Sequence, residues 1–445
     1  MKKIIYLIIL ALVISCVPNS YAYALTSTPQ ITAEAGVVID ANTGLVLFDK
    51  NKDEKLEPAS ITKVMTALLA LENLDMNKTV IIDKEASFTE GSRIYLLEGE
   101  EVTVQDLMYA LLLESANDSA VAIAKEVSGS VDEFAKLMNQ RAKEIGANNT
   151  NFVNPHGLHA EGHVTTAYDM ALIAQEAMRN QDFRKFILTY RHVIEATNKQ
   201  PTRYLYNTNR LIYDEITNVD ANGILRPAKY DGVTGIKTGY TPEAGGCLVS
   251  GAERDGSEFI AVVLKSTDLG RFGDGITLLD FAFTNYKSVT AIKDGTDMGT
   301  IKVKNGEKNK VSLVTDRNGG ITLPKEASED IVNKKIVIPK SIKAPIKKGQ
   351  QIGVVEIYEG DVLRDKVPIV ATESIGKGTF LSVFGIEDEI AFKIILALKI
   401  IGGIFGVLVL LIVVYILYKK NQIKKRRAKR KQQMSKMARE RHVRH

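Results

Sequence analysis

The chain has 445 residues, enough for two or three domains at about 150 residues each. Its 45% apolar and 25% charged residues are those of an ordinary globular protein, which excludes a wholly disordered chain, and its two cysteines exclude a disulfide framework. The net charge of +5 is unevenly spread: thirteen Lys or Arg and one Glu from Lys419 to His445 give the tail +12, leaving −7 for the rest.

In chain order, Met1 to Ala24 opens with Lys2 and Lys3, runs apolar from Ile4 to Val17 and closes in SYAYA. That is the build of a secretory signal peptide over residues 1–24, cleaved after Ala22 or Ala24. Val13-Ile14-Ser15-Cys16 resembles a lipoprotein cleavage box, and the rival reading leaves Cys16 lipidated. With the leader removed, Cys247 is the one remaining cysteine, read as a packed strand residue. Without a disulfide the exported chain relies on its core.

Residues 31–50 alternate into two strands around Asn42-Thr43-Gly44, a hairpin signal. Helical periods follow at Ser60–Leu74, Val104–Glu114, Ser119–Val127, Val131–Ile145 and Thr166–Arg179, the last with a capped start. Strands return at GIKTGYT, GGCLVSGAERDG and SEFIAVVLKS, with Arg254-Asp255-Gly256 as the turn between the last two. A helix from Gly275 to Tyr286 closes the region. Strands at both ends of a helical middle predict one α/β domain over residues 25–290, its sheet built from distant segments.

From 293 to 385, short β runs such as TIKVK, KVSLV and QIGVVEIY are separated by Gly, Asn, Pro and Lys, predicting a small all-β spacer domain. Residues 387–418 read as an amphipathic lead-in, Glu387 to Lys399, followed by Ile400 to Tyr418, nineteen residues without a charge. At 1.5 Å per residue that stretch spans about 28 Å, close to the hydrocarbon thickness of a bilayer. The basic run KKNQIKKRRAKRK comes next, and the positive-inside rule places the tail, residues 419–445, in the cytoplasm and the bulk of the chain on the outer face of the cell membrane. A basic tail so close to a span meets anionic lipid, which argues against nucleic acid as a partner. Gly402, Gly403 and Gly406 fit a membrane helix with or without a partner helix.

The chemistry begins at EPASITKVMTALLALE, where Lys63 follows Ser60 by three residues at the start of an apolar helix. Residues three apart share a helix face, and a Ser in the first turn feels the positive end of the helix dipole. A Lys held in a low-dielectric face loses proton affinity and can act as a base, so S-x-x-K can pair a nucleophile with its base. Alone the pattern is weak, because Ser is a common cap and Lys a common solvated residue; Ser374 and Lys377 repeat it inside the β region. Two further stretches add weight. LLLESANDSA sets Ser115 and Asn117 in S-x-N spacing just after a helix, and GVTGIKTGYT sets Lys237, Thr238 and Gly239 on a strand. Taken singly these would be a capped turn and an edge strand.

Together, in this order, the three motifs resemble those of the serine D-alanyl-D-alanine carboxypeptidases, the low-molecular-mass penicillin-binding proteins. The resemblance covers about residues 30 to 290, includes NPHGL and TTAYDMA between the second and third motifs, and extends to a β domain and membrane anchor behind. It implies a penicillin-binding-protein/β-lactamase-like fold, an antiparallel sheet with a helical subdomain. It implies acyl-enzyme hydrolysis of the terminal D-Ala of peptidoglycan stem peptides, with β-lactams as covalent inhibitors. By the resemblance Ser60 is the acylated nucleophile, Lys63 its base, and Ser115 the relay to the leaving amine. Asn117 binds the substrate peptide, Lys237 keeps the pocket positive and orients Ser115, Thr238 holds the carboxylate, and Gly239 lets substrate lie along the strand. The backbone N–H groups of Ser60 and Tyr240 form the oxyanion site. Arg271 in TDLGRFGDG stands near a second carboxylate-binding cation, and Tyr240 replaces a His that some relatives carry.

No E-x-x-L-N stretch lies between the second and third motifs, so the deacylating Glu of class A β-lactamases is missing and a penicilloyl-enzyme should turn over slowly. His156, His159 and His163 have a spacing that could suggest metal, but the segment falls in the NPHGL loop and the resemblance needs neither metal nor cofactor. The alternatives from the same residues are a D,D-endopeptidase cutting crosslinks and a penicillin sensor without turnover.

Overall fold

A computed structural model describes residues 28–378 and 387–442; the leader and Cys16 lie outside the described residues. Two compact units divide the chain. The first runs to Asp294 and takes in Arg317–Lys335 and Val355–Val367; the second holds Gly295–Asp316, Ile336–Val354 and the chain from Pro368 onward.

The first unit is built on a five-stranded antiparallel sheet of β1 (Ala35–Asp40), β2 (Val46–Lys50), β3 (Val233–Thr241), β4 (Gly245–Arg254) and β5 (Ser257–Ser266), in the order β2-β1-β5-β4-β3. The termini of the unit therefore meet in one sheet, as the α/β reading requires. Successive side chains of a strand point to opposite faces, so Val37 and Ile39 enter one core while Val38 enters the other. Both faces are covered, which is why β5 reads as an almost unbroken apolar run. The β4–β5 turn uses Asp255 and Gly256 at φ +51° and +74°, the two left-handed positions of a tight hairpin.

One face packs on the helices α1 (Lys63–Asn73), α2 (Val104–Leu112), α3 (Asn117–Ser128), α4 (Val131–Ile145), α5 (Ala167–Ala177) and α6 (Gln181–Leu188). The other packs on α7 (Gly270–Asn285) through Phe272, Ile276 and Leu279. Caps fix several starts: the hydroxyls of Thr103, Ser130 and Thr166 accept the N–H groups of Asp106, Glu133 and Asp169. Gly129 and Gly146 end α3 and α4 in the left-handed conformation.

Three helix starts that carry site residues differ from the sequence reading; α3, expected from Ser119, begins at Asn117. The helix expected from Ser60 begins at Lys63; Ala59–Thr62 forms a 3-10 turn ahead of it, with Ala59 at φ +46°. The last helix begins at Gly270, not Gly275, so Arg271 stands in its first turn. Between α6 and β3, two hairpins (Arg191–Ile194 with Arg203–Tyr206, and Asn218–Ala221 with Ile224–Pro227) fill a stretch too short-period for the sequence to assign.

In the second unit, Asp297–Lys304 pairs antiparallel with Lys310–Thr315 and parallel with Ser341–Lys343, and Leu313–Thr315 pairs with Ile369–Ala371. Ile301, Val303, Val311, Leu313, Ile369 and Ala371 are its buried apolar residues in these strands. A single helix, Asp388–His442, continues through lead-in, apolar stretch and basic tail without a break, about 80 Å at 1.5 Å per residue. It is long and apolar enough to cross a membrane, and its apolar stretch is exposed among the described residues.

Candidate active site

The cleft is assembled where the 3-10 turn before α1, the α2–α3 junction and β3 come together. α1 is apolar on nearly every side and buried from Lys63 to Ala70, so it runs through the core. That placement buries the Lys63 ammonium completely. Its Nζ lies 2.9 Å from Ser60 Oγ and 2.7 Å from the carbonyl oxygen of His156. Burial holds the Lys63 amine well below the ordinary lysine range, and the charge of Lys237 pushes it the same way.

Strained backbone marks all three motifs. Ala59 beside Ser60, Ser115 itself, and Ile236 beside Lys237 have φ of +46°, +61° and +108°. Non-glycine residues adopt such angles only where the surroundings enforce them, and Ile236 is β-branched, the least tolerant kind. One such residue stands at or beside each of Ser60, Ser115 and Lys237. Two glycines make the close approach. A Cβ on Gly239 would stand 2.9 Å from the Ser60 backbone nitrogen, and one on Gly157 would stand 1.8 Å from the Ala59 carbonyl oxygen. β3 and the NPHGL loop therefore pack directly on the turn that carries Ser60.

Ser115 Oγ is buried and accepts or donates no hydrogen bond within the described residues. The bond expected from Lys237 to Ser115 is not made: Lys237 Nζ donates to the Thr238 carbonyl oxygen at 3.0 Å. Asn117 opens α3; its Nδ2 donates to the Glu90 carbonyl at 2.7 Å, while its buried Oδ1 has no partner. Lys237 is buried, and burial with the nearby Arg271 charge lowers its ammonium to about 7; Glu114 acts in the opposite sense. Thr238 shares a 3.0 Å hydroxyl contact with Thr208. Arg271 Nη1 donates to the Gly239 carbonyl at 2.8 Å and Nη2 pairs with Asp268 at 2.8 Å, so this cation also braces β3. The Tyr240 side chain is exposed, and its backbone pairs in register with Gly246. Cys247 is buried opposite Gly239 on β4, and burial raises its thiol to about 11.

Several contributors were not singled out from the sequence. Thr208 joins the motifs: its N–H donates to the Leu113 carbonyl at 3.2 Å and its hydroxyl meets Thr238. The buried Asp118 carboxylate accepts N–H groups of Ile94, Leu96 and Ser119 and offsets part of the positive charge at Lys63. The three loop histidines go to separate partners. His163 accepts the Val153 N–H on Nδ1, so its Nε2 proton is directed to Thr62 Oγ1 at 2.9 Å. His156 Nδ1 accepts the Leu158 N–H, and His159 meets Glu57. Burial and the Lys63 charge lower His156 to about 3 and His163 to about 4. Among the described residues no three His, Cys, Asp or Glu side chains gather as metal ligands.

The family model for D-alanyl-D-alanine carboxypeptidase matches residues 23–268, more than half of the chain. The chain belongs to the D-alanyl-D-alanine carboxypeptidase family. A second model, the C-terminal domain of penicillin-binding protein 5, matches residues 286–377. Among curated relatives, the D-alanyl-D-alanine carboxypeptidase DacF of Bacillus subtilis is 39% identical over 365 residues, 80% of this chain and 89% of the relative. DacC of Escherichia coli is 32% identical over 376 residues, 82% and 89% of the two chains. Among solved structures, penicillin-binding protein 5 of Haemophilus influenzae matches with a TM-score of 0.57 at 30% identity, covering 79% of this chain and all of that one. DacD of Francisella tularensis gives 0.56 at 30%, covering 82% and 98%. The fold read from the three motifs, a penicillin-binding-protein-like domain followed by a β domain, is thus the family's fold, and the chain is a carboxypeptidase of this hydrolase family acting in the cell wall.

Proposed function

We propose that the carboxypeptidase reaction runs on Ser60 and Lys63. The observation that carries this reading is the fully buried Lys63 amine at 2.9 Å from Ser60 Oγ. A lysine with its proton affinity depressed by burial gives up its proton more readily than an exposed one; in its neutral form it keeps its bond to the His156 carbonyl through an N–H and offers its lone pair to the serine. Ser60 Oγ gives its proton to Lys63 Nζ as it bonds to the carbonyl carbon of the penultimate D-Ala. The oxyanion is received by the backbone N–H groups of Ser60 and Tyr240, a device worth several kcal/mol in rate. The C–N bond to the terminal D-Ala breaks, and its nitrogen takes a proton passed from Lys63 through the unpartnered Ser115 hydroxyl. Water then attacks the ester carbon, Lys63 takes the water's proton, and Ser60 Oγ recovers it on leaving.

Substrate is held by groups already in place. Lys237, Thr238 and Arg271 give the terminal carboxylate a positive, hydrogen-bonding pocket, and the free Asn117 Oδ1 accepts a substrate amide N–H. β-Lactams present the same carboxylate and a strained amide, acylate Ser60 and leave slowly. The helix from Asp388 anchors the chain in the membrane, with the basic tail on the cytoplasmic side. The test is D-Ala release from a stem pentapeptide by the full chain: Ser60→Ala abolishes it while the thermal midpoint stays near wild type. Release surviving in a folded Ser60→Ala protein would refute the assignment.

A further inference from the structure

Outside the cleft, the hairpin before Thr208 carries an unusual surface. Tyr204 and Tyr206 stand on one face of the strand Arg203–Tyr206 with Leu205 buried behind them. Arg191, on the paired strand, lies 4.7 Å from the Tyr204 ring and 5.9 Å from the Tyr206 ring. Tyr190 continues the row, 5.9 Å from Tyr206 and 5.0 Å from Tyr213. The four tyrosines are 37% to 54% exposed, and no protein group among the described residues takes up their hydroxyls. Burial of apolar area does not explain this row, because each ring keeps much of its surface in water.

The row is tied to the active site by backbone. The Tyr206 N–H donates to Glu114 Oε1 at 2.7 Å, one residue before Ser115. Two residues later Thr208 meets Thr238, so the row begins on the order of 7 Å along the chain from the substrate-binding strand. Rigid rings with an apolar face and a free hydroxyl suit the C–H faces and hydroxyls of sugars, at small ordering cost. The stacked guanidinium adds donors for carbonyl and carboxylate oxygens. A stem peptide of a few residues places its sugar on the order of 10–15 Å from the bond to be cut, within reach of such a row. Its free carboxylates also make the polymer anionic, complementary to Arg191.

We propose that Tyr190, Tyr204, Tyr206, Tyr213 and Arg191 form a docking platform for the glycan strand of peptidoglycan beside the catalytic cleft. This rests on the carboxypeptidase reading and adds to it that glycan-linked substrate is preferred over free peptide.

The test uses full-length protein in detergent, comparing wild type with a Tyr204→Ala/Tyr206→Ala double variant. D-Ala release is measured from a free pentapeptide and from polymeric peptidoglycan. The variant is expected to lose about tenfold on the polymer and to match wild type on the free peptide. Equal loss on both substrates, or loss on neither, overturns the platform. A second arm pellets Ser60→Ala protein with insoluble peptidoglycan, with and without the tyrosine changes, and competes it with glycan stripped of stem peptides. Pelleting that needs the tyrosines and yields to stripped glycan supports the proposal; pelleting that is unchanged, or yields only to stem peptide, overturns it. Should wild type release no D-Ala from either substrate, the catalytic reading fails, and the pelleting arm still decides the platform.

Discussion

The chain contains the pattern S-x-x-K twice in different surroundings. Ser60 and Lys63 straddle a 3-10 turn and a core helix; Lys63 is buried and bonded to Ser60. Ser374 and Lys377 lie in the irregular end of the β region, both exposed, and Ser374 Oγ accepts the N–H of Lys348 instead of meeting its lysine. The letters are the same and the chemistry is not. A helical turn sets two side chains on one face, and burial of the lysine lowers its proton affinity. Spacing supplies the first condition at most, and only the fold supplies the second.

The largest test of that contrast is a pair of substitutions. Lys63→Ala should lower kcat/KM for D-Ala release by about a thousandfold, the scale of a lost general base. Lys377→Ala should leave it unchanged. Equal effects would break the comparison. Lys237→Ala sharpens it, because this second buried lysine is assigned to binding. Its loss should cut kcat/KM by about a hundredfold, mainly through KM, as expected when a charged partner of the substrate carboxylate is removed. A drop confined to kcat would move Lys237 into the proton path.

Gly157→Ala tests the packing that creates the buried environment. With φ at +87° and no room for a Cβ against Ala59, it should destabilise the first unit by roughly 2–4 kcal/mol, read as a shift in denaturation midpoint. The last effect is in pH. Lys237 has a folded value of about 7 against an ordinary value near 10.4 in the unfolded chain. Between those values the unfolded state binds more protons, so stability should rise as pH increases through that window, and Lys63 acts in the same sense. Lys237→Met should flatten the rise. A stability that falls with pH there in wild type, and rises in the variant, would reverse the sign and contradict the burial argument.

Much of this site was legible because local chemistry and fold agreed. Lys237, Thr238 and Gly239 lie on the expected strand, and the β4–β5 turn and the Thr166 cap are where their residue types place them. What escaped depended on contacts between distant segments. Nothing local distinguishes Thr208 from other surface threonines, and its role comes from reaching both Leu113 and Thr238. Asp118 reads as a helix-start carboxylate until burial joins it to Lys63. The sequence reads Ser60 as the first helical residue, but the left-handed Ala59 ahead of it packs on Gly157, nearly a hundred residues away. Arg271 lies ahead of the helix expected from Gly275, because its Gly-rich surroundings hide the true start at Gly270.

The account's central claim is that one hydroxyl, on the turn before α1, becomes acylated. Full-length protein incubated with penicillin, digested and analysed by mass spectrometry should carry a single adduct, on the peptide containing Ser60. An adduct on Ser115 or any other residue, with Ser60 unmodified, would contradict it.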